Sequence, residues 1–379
     1  WAIVSDLVSR GLLTSSHVGR SKGGRPPMVL RFNALSNHVI GIEMGASHLT
    51  VALCDLLGNV LWHRSEDCDV PDDPLGTLRH MGDLVDAARE RPEAQGALLG
   101  VGVAAPCPLD NLIPDRLSLR LLPKWGEIRF ATQLSERFGV RVFVDNDANC
   151  GALAESMVGA GRDVSDFTFI KVATGCGAGH IVQHQLYRGF SGIAGEIGHS
   201  SVDPNGRPCR CGLRGCLEAE VGSRELVAKA TDALAEGHPS QLAGVSELRL
   251  EDIVSAAHDG DELALALVAD AGRHLGIAVA NLLNLLNPAR VIIGGRLSAA
   301  GSALLIPLRR TVRERALSSS VEHAEIVTST LSTEYVAVGA ASLVLRAALD
   351  DLDLFKEAAN NGAPLSAEAS SPPRGLGRR

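Results

Sequence analysis

His199 is followed by Cys209, Cys211 and Cys216, so three thiols and one imidazole fall within one short stretch of chain. A Cys₃His set is what a structural Zn²⁺ takes in a tetrahedron, and it leaves no coordination position open for water or substrate. The expected metal is therefore structural. Gly206, Gly212 and Gly215 permit the sharp turns needed to wrap a short loop around an ion. The other five cysteines, Cys54, Cys68, Cys107, Cys150 and Cys176, are scattered, which is not the pattern of a small disulfide-stapled secreted domain. Glu196 and Glu218 stand on either side of the knot. Carboxylates so placed can accept hydrogen bonds from vicinal hydroxyls, with the metal loop fixing their positions.

A second polar constellation is Asp145-Asn146-Asp147-Ala148-Asn149, where an apolar strand gives way to a helical run. Asp and Asn are good helix caps, but one cap does not need four polar residues in five. Asp147 at a strand end can face a cleft and accept the proton of a sugar hydroxyl, the base role in phosphoryl transfer.

Three glycine turns follow strands. Thr174-Gly175-Cys176-Gly177-Ala178-Gly179 lacks the G-x-G-x-x-G spacing and leads into a strand, where a dinucleotide fingerprint needs a helix. What it can form is a hairpin whose backbone N–H groups make a concave anion site. Gly45 to Ser47 and Gly294-Gly295 are similar, and the three turns could surround one nucleotide.

The elements that would position these groups follow from periodicity. Val39 to Trp62 reads as a three-strand meander, and Phe167 to Tyr187 reads as a second one. The repetition implies two related lobes with a cleft between them. Helical runs are expected at 75–89, 263–286 and 336–349, the second stopped by Asn287-Pro288, with buried strands at 98–104, 140–144 and 290–293. No stretch reads as a membrane span or a secretory signal, which favours a soluble cytoplasmic protein.

Of the 379 residues, 45% are hydrophobic and 21% charged, enough for two domains of ordinary size and incompatible with disorder. The net charge of −8 argues against nucleic-acid binding by the whole chain. The charge is unevenly spread, because Arg10, Arg20, Lys22, Arg25 and Arg31 oppose only Asp6 at the start. Aromatic residues, at 3%, are too few for a stacking platform.

The run Gly195-Glu196-Ile197-Gly198-His199, joined to Cys209-x-Cys211-Gly212-x-x-Gly215-Cys216-Leu217-Glu218 with Asn146-Asp147-Ala148-Asn149 upstream, closely resembles the ROK family of sugar kinases and repressors over about residues 38–350. The cysteine motif is highly specific; the glycine turns are individually weak. The resemblance implies an α/β, two-lobed fold of the actin, Hsp70 and hexokinase kind. Asp147 would be the base in a kinase, and Asn146, Asp147, Glu196, His199 and Glu218 would contact sugar hydroxyls. His199, Cys209, Cys211 and Cys216 would be the zinc ligands, and Gly45, Ser47, Thr174, Gly175, Gly177, Gly179, Gly294 and Gly295 would meet a nucleotide, with Mg-ATP needed only in a kinase.

The head separates the family's two branches. A helix, a short apolar step, the glycine-tipped basic turn Lys22-Gly23-Gly24-Arg25 and a return strand resemble the back half of a winged helix-turn-helix. Its helix would read the major groove, and the wing would contact phosphates or the minor groove. Where the family's kinases carry an aspartate before the first phosphate turn, followed by Gly-Thr, this chain has Glu43-Met44-Gly45-Ala46-Ser47. Sugar binding should therefore be better preserved than catalysis.

The expectation is a NagC/XylR-type sugar-responsive repressor, binding operator DNA as a homodimer or tetramer and a sugar or sugar phosphate as effector. An ATP-dependent hexose kinase is the alternative. The expected segments are 1–33 for the partial DNA-binding head, 38–147 for the first lobe and 148–335 for the second, with the zinc knot. A helix at 336–350 returns to the first lobe, and 351–379 is a disordered tail.

Overall fold

A computed structural model describes residues 2–16, 29–113, 115–118, 121–126 and 128–361. Helix α1 (Ala2–Ser9) stops where Gly11 turns with φ of +74°, and β1 (Leu13–Ser16) then pairs antiparallel with β2 (Val29–Phe32). Leu12 is buried between them, and the Asn33 backbone N–H and side-chain amide bond the carbonyls of Leu12 and Gly11. The expected wing tip, with Lys22, Gly23, Gly24 and Arg25, lies outside the described residues.

Two five-stranded sheets carry the body. The first contains β3 (Asn37–Met44), β4 (His48–Cys54) and β5 (Val60–Asp67) as an antiparallel meander, and is joined after α2 (Pro74–Arg89) by β6 (Ala97–Ala105). Helix α3 (Phe130–Phe138) precedes β7 (Val142–Asn146), which lies parallel beside β6. The order is β5-β4-β3-β6-β7. Helix α4 (Asp147–Val158) leads into the second meander, β8 (Phe167–Val172), β9 (Cys176–Val182) and β10 (Gln185–Tyr187).

The second lobe then adds helices α5 (Glu218–Val221), α6 (Ser223–Ala235), α7 (Leu250–His258) and α8 (Glu262–Leu286). After β11 (Arg290–Gly294) come α9 (Ser302–Arg315), α10 (Ser318–His323) and β12 (Glu325–Thr328). This sheet runs β10-β9-β8-β11-β12, with β8, β11 and β12 parallel. The two lobes thus repeat one topology, a meander whose first strand is flanked by a parallel strand. Glu43 and Lys171 occupy the same place in the two copies, next to last in β3 and β8.

The central strands β3, β4, β6 and β8 are buried on both faces. Met81, Leu84, Trp125 and Phe130 cover one face of the first sheet. Helix α8 packs within the second lobe through Val268, Leu275, Val279 and Leu283. It is long and apolar enough to cross a membrane, but this burial accounts for its composition. Asp261 caps it by accepting from the Ala264 N–H at 2.9 Å, and Asn287 ends it in the left-handed conformation at φ +48°.

Between the sheets run α4 and α11 (Tyr335–Asp350), which contact each other and the strands of both lobes. Their close approach requires glycine. A Cβ on Gly102 would lie 1.8 Å from the Ala340 carbonyl oxygen, and one on Gly339 would lie 1.8 Å from that of Cys150.

The tail expected at 351–379 starts differently: α12 (Asp353–Asn361) is a helix. Leu354 and Ala358, one turn apart, are buried against the first lobe, and Arg141 reaches Asp351 at 3.1 Å and Glu357 at 2.7 Å. Two apolar residues on one face are enough to hold a short helix on an existing core. The Ser- and Pro-rich composition further on obscured them in the sequence. Arg10 of the head donates to the Leu352 carbonyl at 3.1 Å, just before this helix.

Gly102→Ala should cost about 3 kcal/mol, the upper end of ordinary overpacking, because the opposing atom is backbone and cannot rotate away. Denaturant unfolding of wild type and variant checks this.

Candidate functional site

A cleft of about 1370 Å³ lies between the lobes, lined from the first by Glu43, Gly45, Ser47, His48, Asn146 and Asp147 and from the second by Lys171, Thr174, Gly175, Glu196, His199 and Glu218. Asn146, Asp147, Glu196, His199 and Glu218, singled out from the sequence, therefore share one cavity.

The polar run at the end of β7 divides its labour. Asn146 caps α4, its amide oxygen accepting from the N–H groups of Ala148 at 2.8 Å and Asn149 at 3.4 Å. Its amide nitrogen donates to the Cys107 carbonyl at 3.2 Å. Asp145 is buried, taking Arg188 at 2.7 Å and the Asn149 amide at 2.7 Å. Asp147 is the member of the run whose carboxylate meets the cleft floor, where the Lys171 ammonium lies 2.9 Å away.

Lys171 also lies 3.0 Å from Glu43, and His48 stands 3.7 Å from the other Glu43 oxygen. Burial alone would raise the Glu43 pKa, but Lys171 and His48 outweigh it and hold the carboxyl down to about 2. Burial would likewise discharge Lys171, yet Asp147 and Glu43 keep its pKa well above the ordinary lysine value. Sequence reading passed over Lys171. The available signal was a lysine in the otherwise apolar run Phe167–Val172, two residues before a glycine turn.

On the opposite wall, burial and then the negative charges of Asp147 and Glu218 push the Glu196 pKa up to about 7. Near neutrality this carboxyl can donate as well as accept a hydrogen bond. Glu218 is fixed by the Cys176 N–H, which donates to it at 3.1 Å, so the metal-loop side of the cleft is tied to the second glycine turn. Arg210, between two of the cysteines, lies 3.6 Å from Glu218.

The ligand atoms of His199, Cys209, Cys211 and Cys216 all lie within 4.8 Å of one another. His199 Nδ1 is 3.7 Å from Cys209 Sγ, and Cys211 and Cys216 have sulfurs 3.6 Å apart. Tetrahedral ligands at zinc–sulfur bond lengths sit about 3.8 Å apart, so donor chemistry and spacing both fit such an ion. His199 Nε2 faces Glu196 at 3.9 Å. One ring nitrogen can thus serve a metal while the other addresses the cleft. Gly215 is required where the loop turns at φ +68°, since a Cβ there would strike the Asp203 carbonyl.

The glycine turns are only partly at the cleft. Gly45, Ser47, Thr174, Gly175, Gly177 and Gly295 line it. Gly179 and Gly294 are not among its lining residues. A Cβ on Gly179 would meet the Ala148 carbonyl of α4 at 2.6 Å, and one on Gly294 would meet the Phe169 ring at 2.4 Å. Both glycines serve packing.

Two lobes of repeated topology closing on a polar cleft define the actin- and hexokinase-like class of fold. The ROK family model matches residues 39–347, and the chain belongs to the ROK family. It is 32% identical over 356 residues to the DNA-binding transcriptional dual regulator NagC of Escherichia coli K12, covering 92% of this chain and 86% of that one. It is 29% identical over 349 residues to the xylose repressor of Caldicellulosiruptor bescii, covering 90% and 87%. Among solved structures, a ROK family transcriptional regulator described as a homolog of the E. coli MLC protein superposes with a TM-score of 0.81 at 29% identity, covering 95% of this chain and 90% of that one.

Because the Glu43 pKa is depressed in the folded state, its contribution to stability is complete above pH 4.5 and is lost as the pH falls toward 2. Glu43→Gln should flatten the acid limb of a stability profile taken from pH 5 downward by urea unfolding.

Proposed function

We propose that this chain is a sugar-responsive transcriptional repressor of carbohydrate genes, working in the cytoplasm as a homodimer or a pair of dimers. The observation that carries this is the convergence of Asp147, Glu196, His199 and Glu218 on one interlobe cleft beside a Cys₃His loop. These carboxylates and the imidazole would hold sugar hydroxyls, with Asn146 setting the start of α4. Residues 1–33 would be the DNA-contacting head, with the basic turn from Lys22 to Arg25 on phosphate or the minor groove.

The NagC and xylose repressor relatives support the regulatory reading. The head's contact with the Leu352 carbonyl, where α11 hands over to α12, gives a route by which movement of the lobes could reach the DNA. For that to be allostery, the sugar must favour one closure state over the other, since equal affinity for both shifts nothing. A dimer would present two heads to a palindromic operator.

Zinc held by His199, Cys209, Cys211 and Cys216 would fix the loop that carries Arg210 and precedes Glu218. The purified protein should hold one zinc per chain by elemental analysis. Cys211→Ser should lose the metal and weaken sugar binding about tenfold or more, as calorimetry would read it. Anisotropy titrations of the whole protein with DNA from beside its own gene, with and without candidate sugars, test the main reading. It expects DNA binding that one sugar shifts at least fivefold. DNA binding absent, together with ATP turnover on a hexose, would make the protein a sugar kinase.

A further inference from the structure

A nucleotide-dependent kinase of this fold needs a divalent ion near the phosphates and a free carboxylate to take the sugar proton. The residues at the cleft floor do not fit that requirement. Lys171 Nζ lies 3.0 Å from Glu43 and 2.9 Å from Asp147. Its side chain is only 12% exposed, against 6% for Glu43 and 20% for Asp147. A magnesium ion wants carboxylate oxygens at about 2.1 Å in a near-ideal octahedron. Here those oxygens already face an ammonium that cannot leave, because it is tethered to β8.

We propose that Lys171 is a built-in cation standing where a nucleotide-borne metal would otherwise be needed, so that the cleft takes a sugar alone and transfers no phosphoryl group. The proposal rests on the sugar-cleft reading above and extends it by excluding Mg·ATP as a co-ligand.

Three observations support it. Glu43 and Lys171 occupy equivalent places at the ends of β3 and β8, so the pair spans the cleft where the two glycine turns begin. Glu43 is itself the departure from the kinase pattern, and its longer side chain reaches the lysine. One of the two Asp147 carboxylate oxygens is paired with Lys171 at 2.9 Å. Protonating Asp147 would leave the buried Lys171 ammonium short of a partner 2.9 Å away. Asp147 can still accept a hydrogen bond from a hydroxyl, which is all that recognition requires.

The test uses full-length, zinc-loaded protein and Mn²⁺ with the non-hydrolysable nucleotide AMPPNP, bound Mn²⁺ being read by electron paramagnetic resonance. Wild type and Lys171→Arg should bind Mn·AMPPNP no tighter than millimolar. Lys171→Gln, which frees both carboxylates, should bind at least tenfold tighter. A merely structural lysine would not separate the arginine and glutamine variants in this way, and thermal melts establish that each is folded.

Micromolar Mn·AMPPNP binding by wild type overturns the proposal, as does a folded Lys171→Gln that gains nothing or a Lys171→Arg that gains as much. If Lys171→Gln does not fold, the wild-type and arginine titrations decide. No DNA or sugar enters this readout, so its failure leaves the regulator reading standing. Failure of every sugar to shift DNA binding would equally leave the Lys171 assignment intact.

Discussion

An ammonium group with most of its surface removed from water must be matched by charge, and Lys171 obtains that match from the other half of the molecule. Glu43 comes from the first sheet and Asp147 from the start of the helix that leaves it, while the lysine belongs to the second sheet. Removing either acid leaves a buried cation short of a partner, a far larger penalty than loss of a surface ion pair. The requirement holds the lobes in register at the cleft floor. The Arg188–Asp145 pair adds a second crossing nearby.

Around that floor the cleft is built asymmetrically. The first lobe contributes a turn and the lysine-bound Glu43, while the second contributes the acids that remain for a ligand. Burial, and then the charges of Asp147 and Glu218, raise the Glu196 pKa to about 7, and Glu218 is steadied by a backbone N–H from the glycine turn. The cysteine loop ties these pieces together, because its histidine also faces Glu196. A polyhydroxyl ligand needs such a mixture of donors and acceptors at fixed positions. The fixing is supplied by a short loop whose Cys209, Cys211 and Cys216 form a small core with Ala219.

The shared layer of α4 and α11 forms a packed base beneath both sheets. Gly102 and Gly339 let helix and strand backbones approach closely, so these contacts do not slide. The chain end that leaves α11 is the one against which the head rests.

Much of this was legible in order. The repeated meander, the long helix ended by Asn287 and the grouping of His199 with Cys209, Cys211 and Cys216 follow from spacing, because strand alternation, helix caps and short-range clusters are local properties. The polar run at 145–149 was also legible, but its division of labour was not. Four residues of nearly equal capping and bonding capacity received different tasks only once strand β7 had placed one of them on the floor. Gly179 and Gly294 looked like anion turns in one dimension and are packing glycines in three, since what presses on them comes from α4 and from β8. Leu354 and Ala358 hold a helix for the same reason, a surface supplied from elsewhere. Lys171 is the clearest case. The sequence determined that a lysine interrupts an apolar strand, and only the pairing of two distant sheets decided which charges it would meet, because Coulomb attraction depends on distance in space and nothing in the order of residues encodes that distance.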